Sequence, residues 1–460
     1  MRRMESSNLH FSSALTDEGW MQDVAIQIDA AGFIERIEEG SRDGRHVNGT
    51  AVPAMPNIHS HAHQRLMQGM AERAGFARTG QDSFWTWREI MYGFAMKLGP
   101  DDLEAVAAQL YVEMLKAGFS VVGEFQYLHH QPDGTPYDNP AEMSLRCLSA
   151  ANQAGIAVTM LPTLYNFGNF GGKQPGDGQR RFLNNADRFL GIFEKLKSEI
   201  GANPLWRLGF SPHSFRAVTH DLLTAVIGGI DTAAPIHVHV AEQNKEVTDC
   251  LAWCGNRPVQ YMLNQYEITG RWTAIHATHM TAQESARLAK SGAIAGLCPT
   301  TEANLGDGIF PAVDYLAAKG AIAIGSDSHI SVSPAEDLRM LEYSQRLRDH
   351  TRNALSGGPG LSTGRSILER ALRGGARSMT QPVGRLAPGY RADIAVIDDD
   401  HSTLIGRTGN NLLDTWIFSG GNVCVKDVFV AGRQLVQDRH HIHEDEIAAR
   451  FRSTVKRLTS

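Results

Sequence analysis

Five cysteines among 460 residues, an odd and sparse number, exclude a disulfide framework as the basis of the fold. No stretch approaches the roughly 18 consecutive apolar residues of a membrane span. No run of lysine or arginine forms a basic stripe, and the net charge is −6, so neither nucleic acid nor an anionic membrane is an expected partner. Met1-Arg2-Arg3-Met4-Glu5 leads into no apolar h-region, and a cytoplasmic location is expected. There is no internal repeat and no long linker. No glycine-rich phosphate fingerprint follows any apolar run, which argues against an open, doubly wound sheet.

What the chain has in quantity is histidine, nineteen in all, several of them at the ends of apolar runs. The runs themselves are short and rich in β-branched residues: 52–58, 121–125, 156–164, 208–212, 236–240, 272–277, 293–298 and 321–325. Such runs fit parallel strands buried on both faces. Amphipathic stretches separate them. Asp101-Asp102 opens a helix with Leu103, Val106, Leu110 and Met114 on one face, and Gly118 closes it. Similar patterns cover 142–154, 187–199, 282–290 and 336–347. Alternating strand and helix units of this number predict a (β/α)8 TIM-like barrel over 55–377. Both ends of the chain read as β instead. Val24, Ile26 and Ile28 alternate with polar residues, as do Ala392, Ile394 and Val396. They predict a small β-sandwich domain built from both termini, 1–54 and 378–460.

In such a barrel, reactive residues sit at the C-terminal ends of strands. His59 and His61 end the first run and, being two apart, point to the same face of an extended strand. The fifth run carries His237 and His239 with Glu242 just beyond, the sixth His276, and the eighth ends at Ser326-Asp327. A lone histidine at a strand end is ordinarily a hydrogen-bonded core residue. Four strand ends that all present metal-competent groups make a nitrogen and oxygen site suited to zinc. The remaining histidines get plainer readings: His129, His130, His279 and His329 structure loops, His237 is a core or supporting residue, and 440–443 is a solvated edge. Cys250 and Cys254 read as buried thiols on one helix face, and Trp85 and Trp87 as packing.

The order His-x-His, His-x-x-Glu, His, Ser-Asp resembles the amidohydrolase superfamily in its mononuclear deaminase branch. Gly384-Arg385-Leu386-Ala387-Pro388-Gly389 before Ala392-Asp393-Ile394 resembles that family's return into its small domain. No lysine ends the fourth run, where dinuclear members carry a bridging one, so one metal is expected. The segments Asn57-Ile58-His59-Ser60-His61-Ala62-His63-Gln64-Arg65, Phe84-Trp85-Thr86-Trp87-Arg88, Glu124-Phe125-Gln126-Tyr127, Pro212-His213-Ser214-Phe215-Arg216 and Cys298-Pro299-Thr300-Thr301-Glu302-Ala303-Asn304 are similar to the formimidoylglutamate deiminases of histidine degradation. The segment 74–81 looks slightly long for that group, and His63 departs from it. The resemblance implies one zinc ion per subunit held by His59, His61, His239 and Asp327. It implies Glu242, His276 and Asp327 as catalytic groups, and Gln64, Arg88, Tyr127, His213 and Arg216 as the pocket for a small acidic substrate, N-formimino-L-glutamate. A homodimer is the expected assembly. Two arginines suit two carboxylates through charge-assisted bonds. A nucleobase deaminase on the same scaffold would want aromatic stacking and amide recognition instead. A non-catalytic assembly protein would have no use for the full ligand set with Glu242.

Overall fold

The computed structural model describes residues 6–73, 83–201 and 203–459, and within them the chain forms three sheets. The nine-stranded sheet takes strands from both ends of the chain. Thr50–Pro53 lies at its centre, parallel to Ser7–Thr16 and antiparallel to Ile394–Ile397. Gly19–Ile28 and Ile34–Glu39 extend one side, Val425–Val430 and Arg433–Gln437 the other. The alternation read at Val24, Ile26 and Ile28 becomes a buried cluster with Leu9, Phe11, Leu386, Ile394 and Phe429. Where the chain re-enters this sheet, Arg391 and Asp393 form a buried two-pronged ion pair at 2.9 and 2.7 Å, and Gln381 accepts a further bond from Arg391. Pairing of this geometry satisfies charges that burial would otherwise penalise heavily.

The other two sheets are wholly parallel. One runs Met55–Ser60, Phe119–Gln126, Ala157–Leu164 and Ser211–Pro212, with Trp206–Leu208 beside the third; the other runs Ile236–Val240, Trp272–His276, Ile294–Leu297 and Ala321–Ile324. Every residue of Phe119–Gln126, Ala157–Leu164, Ile236–Val240 and Trp272–His276 is buried, as parallel strands covered on both faces require. Helices intervene, among them Pro100–Ala117, Glu142–Ala154, Ala186–Ile200, Ala282–Ser291 and Pro334–Asp349. Parallel bridges join the sheets at both edges: Ser60 with Asp327 on one side, Phe210 with Ile236 and Ser214 with His239 on the other. Among the described residues no helix is long and apolar enough to cross a membrane.

Two apolar runs divide in the structure. Val52 belongs to the nine-stranded sheet and Ile58 to a parallel one, because the hydrogen-bond partners change between them: Ala54 donates to Asp393 and Met55 to Gly118. The run 208–212 divides at Gly209, whose added Cβ would stand 2.5 Å from Leu161. A helix that periodicity did not reveal, Phe84–Ala95, is started by reciprocal capping between Ser83 and Thr86.

The helix Thr363–Ser378 lies across the seam between the first and last parallel strands. It approaches so closely that a Cβ on Gly374 would fall 1.8 Å from the carbonyl oxygen of Ile322, and one on Gly375 2.5 Å from Pro56. Gly374→Ala should therefore destabilise the fold by at least about 1–3 kcal/mol, the usual cost of overpacking. Gly191, on an exposed helical face with nothing near, is the control: Gly191→Ala should be neutral or stabilise by roughly 0.5–1 kcal/mol. Denaturant melts of the two variants check this, and equal stabilities would show that the helix can retreat without cost.

Candidate active site

Two of the clustered histidines, His61 and His239, have their outer nitrogens engaged, while Nδ1 of His59 is buried without a partner. Nδ1 of His61 donates to the Phe125 carbonyl at 3.0 Å, and Nδ1 of His239 to the His213 carbonyl at 2.9 Å. With those protons placed by their acceptors, both Nε2 atoms turn lone pairs inward. Nε2 of His239 lies 3.0 Å from Nε2 of His59, and an Asp327 oxygen lies 3.5 Å from His59 and 3.4 Å from His61. The ligating atoms of His59, His61 and His239 all fall within 4.8 Å of one another. Burial holds these imidazoles neutral: His61 is pushed down to about 3, and His59 and His239 well below the usual histidine range. Burial pushes Asp327 up to about 7, opposed by His276. Neutral imidazoles aiming lone pairs at one point beside a carboxylate repel unless a cation stands between them. The donor set fits a divalent metal of zinc type.

The strand ends that carry these groups leave ordinary backbone space. Ala241, His276, Ala277 and Asp327 have φ of 52°, 66°, 47° and 48°. Each such residue costs on the order of 1–3 kcal/mol and persists only where its surroundings hold it. Here the amides of Ala241 and Glu242 both donate to the Glu246 carboxylate at 3.2 Å, and the amide of Asp327 donates to His59 at 3.0 Å.

His276 stands between carboxylates. Its Nε2 is 3.8 Å from Glu242 and 3.8 Å from Asp327, and its Nδ1 is 3.2 Å from Glu302, which also accepts the Cys298 amide at 2.8 Å. Burial opposes a charged ring, but Glu242, Glu302 and Asp327 outweigh it and carry His276 to about 10. Asp307 is pushed to about 10 by burial and then by Glu242, and it accepts from Gln243. Behind His59 and His61, the buried Glu124 accepts from the Ser60 hydroxyl, the Ala62 amide and the Tyr111 hydroxyl, and burial raises it to about 7. Sequence reasoning assigned no role to Glu302, Glu246, Asp307 or Glu124. Glu302 and Glu124 lie in segments the sequence had singled out, and Glu246 follows Glu242 by one helical turn.

One cavity opens over this centre. His61, Gln64, Arg88, Tyr127, His213, Arg216, His239, Glu242, His276 and Asp327 line it, while His59 lies outside the lining. Gln64 donates to the Tyr127 hydroxyl at 3.0 Å, and His63 is 3.1 Å from the same oxygen. Arg88 comes from the helix Phe84–Ala95 and Arg216 from the turn after Ser211–Pro212; the Nε of each is buried without a hydrogen-bond partner. Trp87 lines the cavity and so is not packing alone. His441 is not a solvated edge: it is buried and bonded to the Ala154 carbonyl at 2.8 Å. His129 bonds the Thr163 carbonyl in the strand Ala157–Leu164, His130 bonds the Leu183 carbonyl, and His329 bridges Ser326 and Ser60. Cys250 is buried, and Cys254 is half-buried at 4.0 Å from it. The segment 74–81 falls outside the described residues.

Known proteins resemble this chain in sequence and in fold. The model of the amidohydrolase family matches residues 50–435. Formimidoylglutamate deiminase of Pseudomonas aeruginosa is 47% identical over 95% of this chain and 96% of its own. A crystal structure of an amidohydrolase from Brucella melitensis superimposes with a TM-score of 0.93 at 45% identity, covering 99% of this chain and 100% of that one. Atrazine chlorohydrolase from Arthrobacter aurescens, crystallised with zinc, shares the fold at 19% identity, with a TM-score of 0.81 over 97% of this chain and 99% of its own. The amidohydrolase fold is thus the common ground. The chain belongs to the amidohydrolase family.

Two histidines on one strand separate ligand from scaffold. His237 turns its Nε2 to the Ser378 carbonyl at 2.9 Å, away from the cluster. His239→Ala should lose most bound divalent metal, and His237→Gln should keep it. Metal analysis of both purified variants is the check, and equal metal content would place the ion elsewhere.

Proposed function

We propose that the protein is a zinc-dependent formimidoylglutamate deiminase, converting N-formimino-L-glutamate and water to N-formyl-L-glutamate and ammonia in histidine degradation. The observation that carries this reading is the pairing, in one cavity, of a three-histidine and aspartate cluster with two arginines whose Nε donors are buried and unpartnered. The relative from Pseudomonas aeruginosa bears that name. Deaminases of 5-methylthioadenosine and S-adenosylhomocysteine, at 24% identity in Haloarcula marismortui, stand further off. Their substrates have no pair of carboxylates for the arginines to meet.

In this reading His59, His61, His239 and Asp327 hold one zinc ion per subunit. Zinc so held supplies a water acidified to a pKa of about 7 and a Lewis acid beside the reacting carbon. Asp327 accepts the proton of the attacking water. His276 directs its Nε2 toward the oxygen that adds to the formimino carbon, and Glu302 on its other nitrogen fixes the ring's orientation. Glu242, within 3.8 Å of His276, delivers a proton to the departing nitrogen, which leaves as ammonia. Arg88 and Arg216 bind the substrate carboxylates; Gln64, Tyr127 and His213 position the rest of the chain. The architecture we infer is a (β/α)8 barrel over 55–377 with a small β-sandwich from 1–54 and 378–460. The bridges joining the two parallel sheets at both edges support it, as does the likeness to amidohydrolase structures. A cytoplasmic homodimer completes the reading.

Arg88→Met or Arg216→Met should lower kcat/KM for formiminoglutamate at least about tenfold, as loss of one charge-assisted bond implies. Metal content should hold, and hydrolysis of an uncharged formamidine should suffer much less. Equal losses on both substrates would remove the acidic-substrate reading. Glu242→Gln should retain metal yet lose rate by about 10²–10⁴. A near-normal kcat would move the proton delivery to another group.

A further inference from the structure

Trp85 is half-buried and does not line the cavity. It lies behind the arginines that do. The Arg88 guanidinium carbon is 4.5 Å from the indole ring and that of Arg216 5.6 Å; Lys245 approaches to 5.7 Å. These cations come from three segments: the helix Phe84–Ala95, the turn after Ser211–Pro212, and the helix Asn244–Cys254. Asp249 compensates Lys245 with two contacts at 2.9 and 2.8 Å. Among the described residues, no carboxylate lies within ion-pair distance of Arg88 or Arg216. Glu246 and Glu242 act on Arg216 only through space, and Arg88 lies also over the Tyr92 ring at 5.4 Å; Trp85 is the aromatic neighbour the two guanidinium groups share.

Like charges side by side repel, and the π face of an indole is the strongest neutral side-chain partner for a guanidinium. A guanidinium held against a ring keeps the edge that carries its N–H donors free. A carboxylate needs that edge for paired bonds. The backbone of Trp85 is fixed in the cap of the helix, its N–H donating to the Ser83 hydroxyl at 3.3 Å, and its ring meets that of Phe84 edge-on with centroids 5.2 Å apart.

We propose that Trp85 is a positioning residue for carboxylate recognition, a shared platform that holds the Arg88 and Arg216 guanidinium groups together so that the cavity selects small dicarboxylates. This deepens the function proposed above and rests on its reading of the two arginines. Trp85 acts through them and touches no reacting atom.

The test uses the metal-loaded enzyme, with glutarate as probe and with formiminoglutamate and formamidine as substrates. Trp85→Leu should weaken glutarate binding, read by calorimetry, and raise KM for formiminoglutamate, each by roughly tenfold. Its kcat should change little, and formamidine turnover should be unaffected. Trp85→Phe, with a smaller π face, should fall between wild type and Trp85→Leu, and it remains informative if the leucine variant folds poorly. Unchanged glutarate binding in the Trp85 variants, alongside a selective loss in Arg88→Met, would overturn the platform and leave the proposed activity standing. Equal losses on the charged and neutral substrates would overturn it as well, by making Trp85 a fold residue. Arginine variants that themselves fail to separate the two substrates would bring down the acidic-substrate reading and the platform with it.

Discussion

Imidazole lone pairs converging beside a buried carboxylate are unfavourable by themselves, and much of the chain is arranged to keep them there. The outer nitrogens of His61 and His239 are pinned to the carbonyls of Phe125 and His213, so neither ring can rotate its lone pair away without losing a hydrogen bond. Asp327 is clasped by backbone bonds to His59 and His61. The backbone strain at Ala241, His276, Ala277 and Asp327 belongs to the same arrangement, since φ near 50–66° aims these strand ends inward. A cation at the point of convergence turns this stored repulsion into affinity.

Around that centre the charges are sorted. Glu242, Glu302, Asp307 and Asp327 gather about His276, while Arg88 and Arg216 stand toward the helix Phe84–Ala95. Such a division gives a polar molecule one orientation: its anionic groups meet the guanidinium side and its basic nitrogen meets the carboxylates. An amidine joined to a dicarboxylic acid has that polarity along its length. The fold itself is indifferent to it, since atrazine chlorohydrolase, named for an uncharged molecule, shares it. The helices and turns beyond the strand ends set the preference.

The alternation of short apolar runs and amphipathic stretches was enough to read the parallel strands and five of the helices between them. The residues at the run ends pointed to the cavity the structure displays, because a barrel's strand order brings its run ends together whatever the intervening loops do. Legibility failed where the deciding contact is distant in sequence. Nothing local marks the change of partner between Pro53 and Met55, which depends on Asp393 and Gly118. Glu302 stood in the sequence as one residue of the segment 298–304 with no role of its own, because its partner His276 lies 26 positions away. Trp85 read as packing under a loop, because two of the cations that meet it, Arg216 and Lys245, come from segments more than 100 residues further along. His441 looked solvated because its partner, Ala154, lies 287 residues earlier.

The seam between the first and last parallel strands has a consequence in time. It is closed by the residues that also bind: Asp327 bonds the backbone of His59 and His61, and beside them Asn57 donates to Ser326 across 269 positions of sequence. A contact spanning that length is among the last a growing or refolding chain can make, because the entropy of closing so long a loop must be met first. His59 and His61 emerge from the ribosome before His239 and long before Asp327, so an unfinished chain offers an ion an incomplete set. The complete donor set exists only once the two strands have met. Capture of an ion by the four groups proposed to hold it would thereby wait for the end of folding, when the burial that distinguishes this site from any loose set of histidines is already in place.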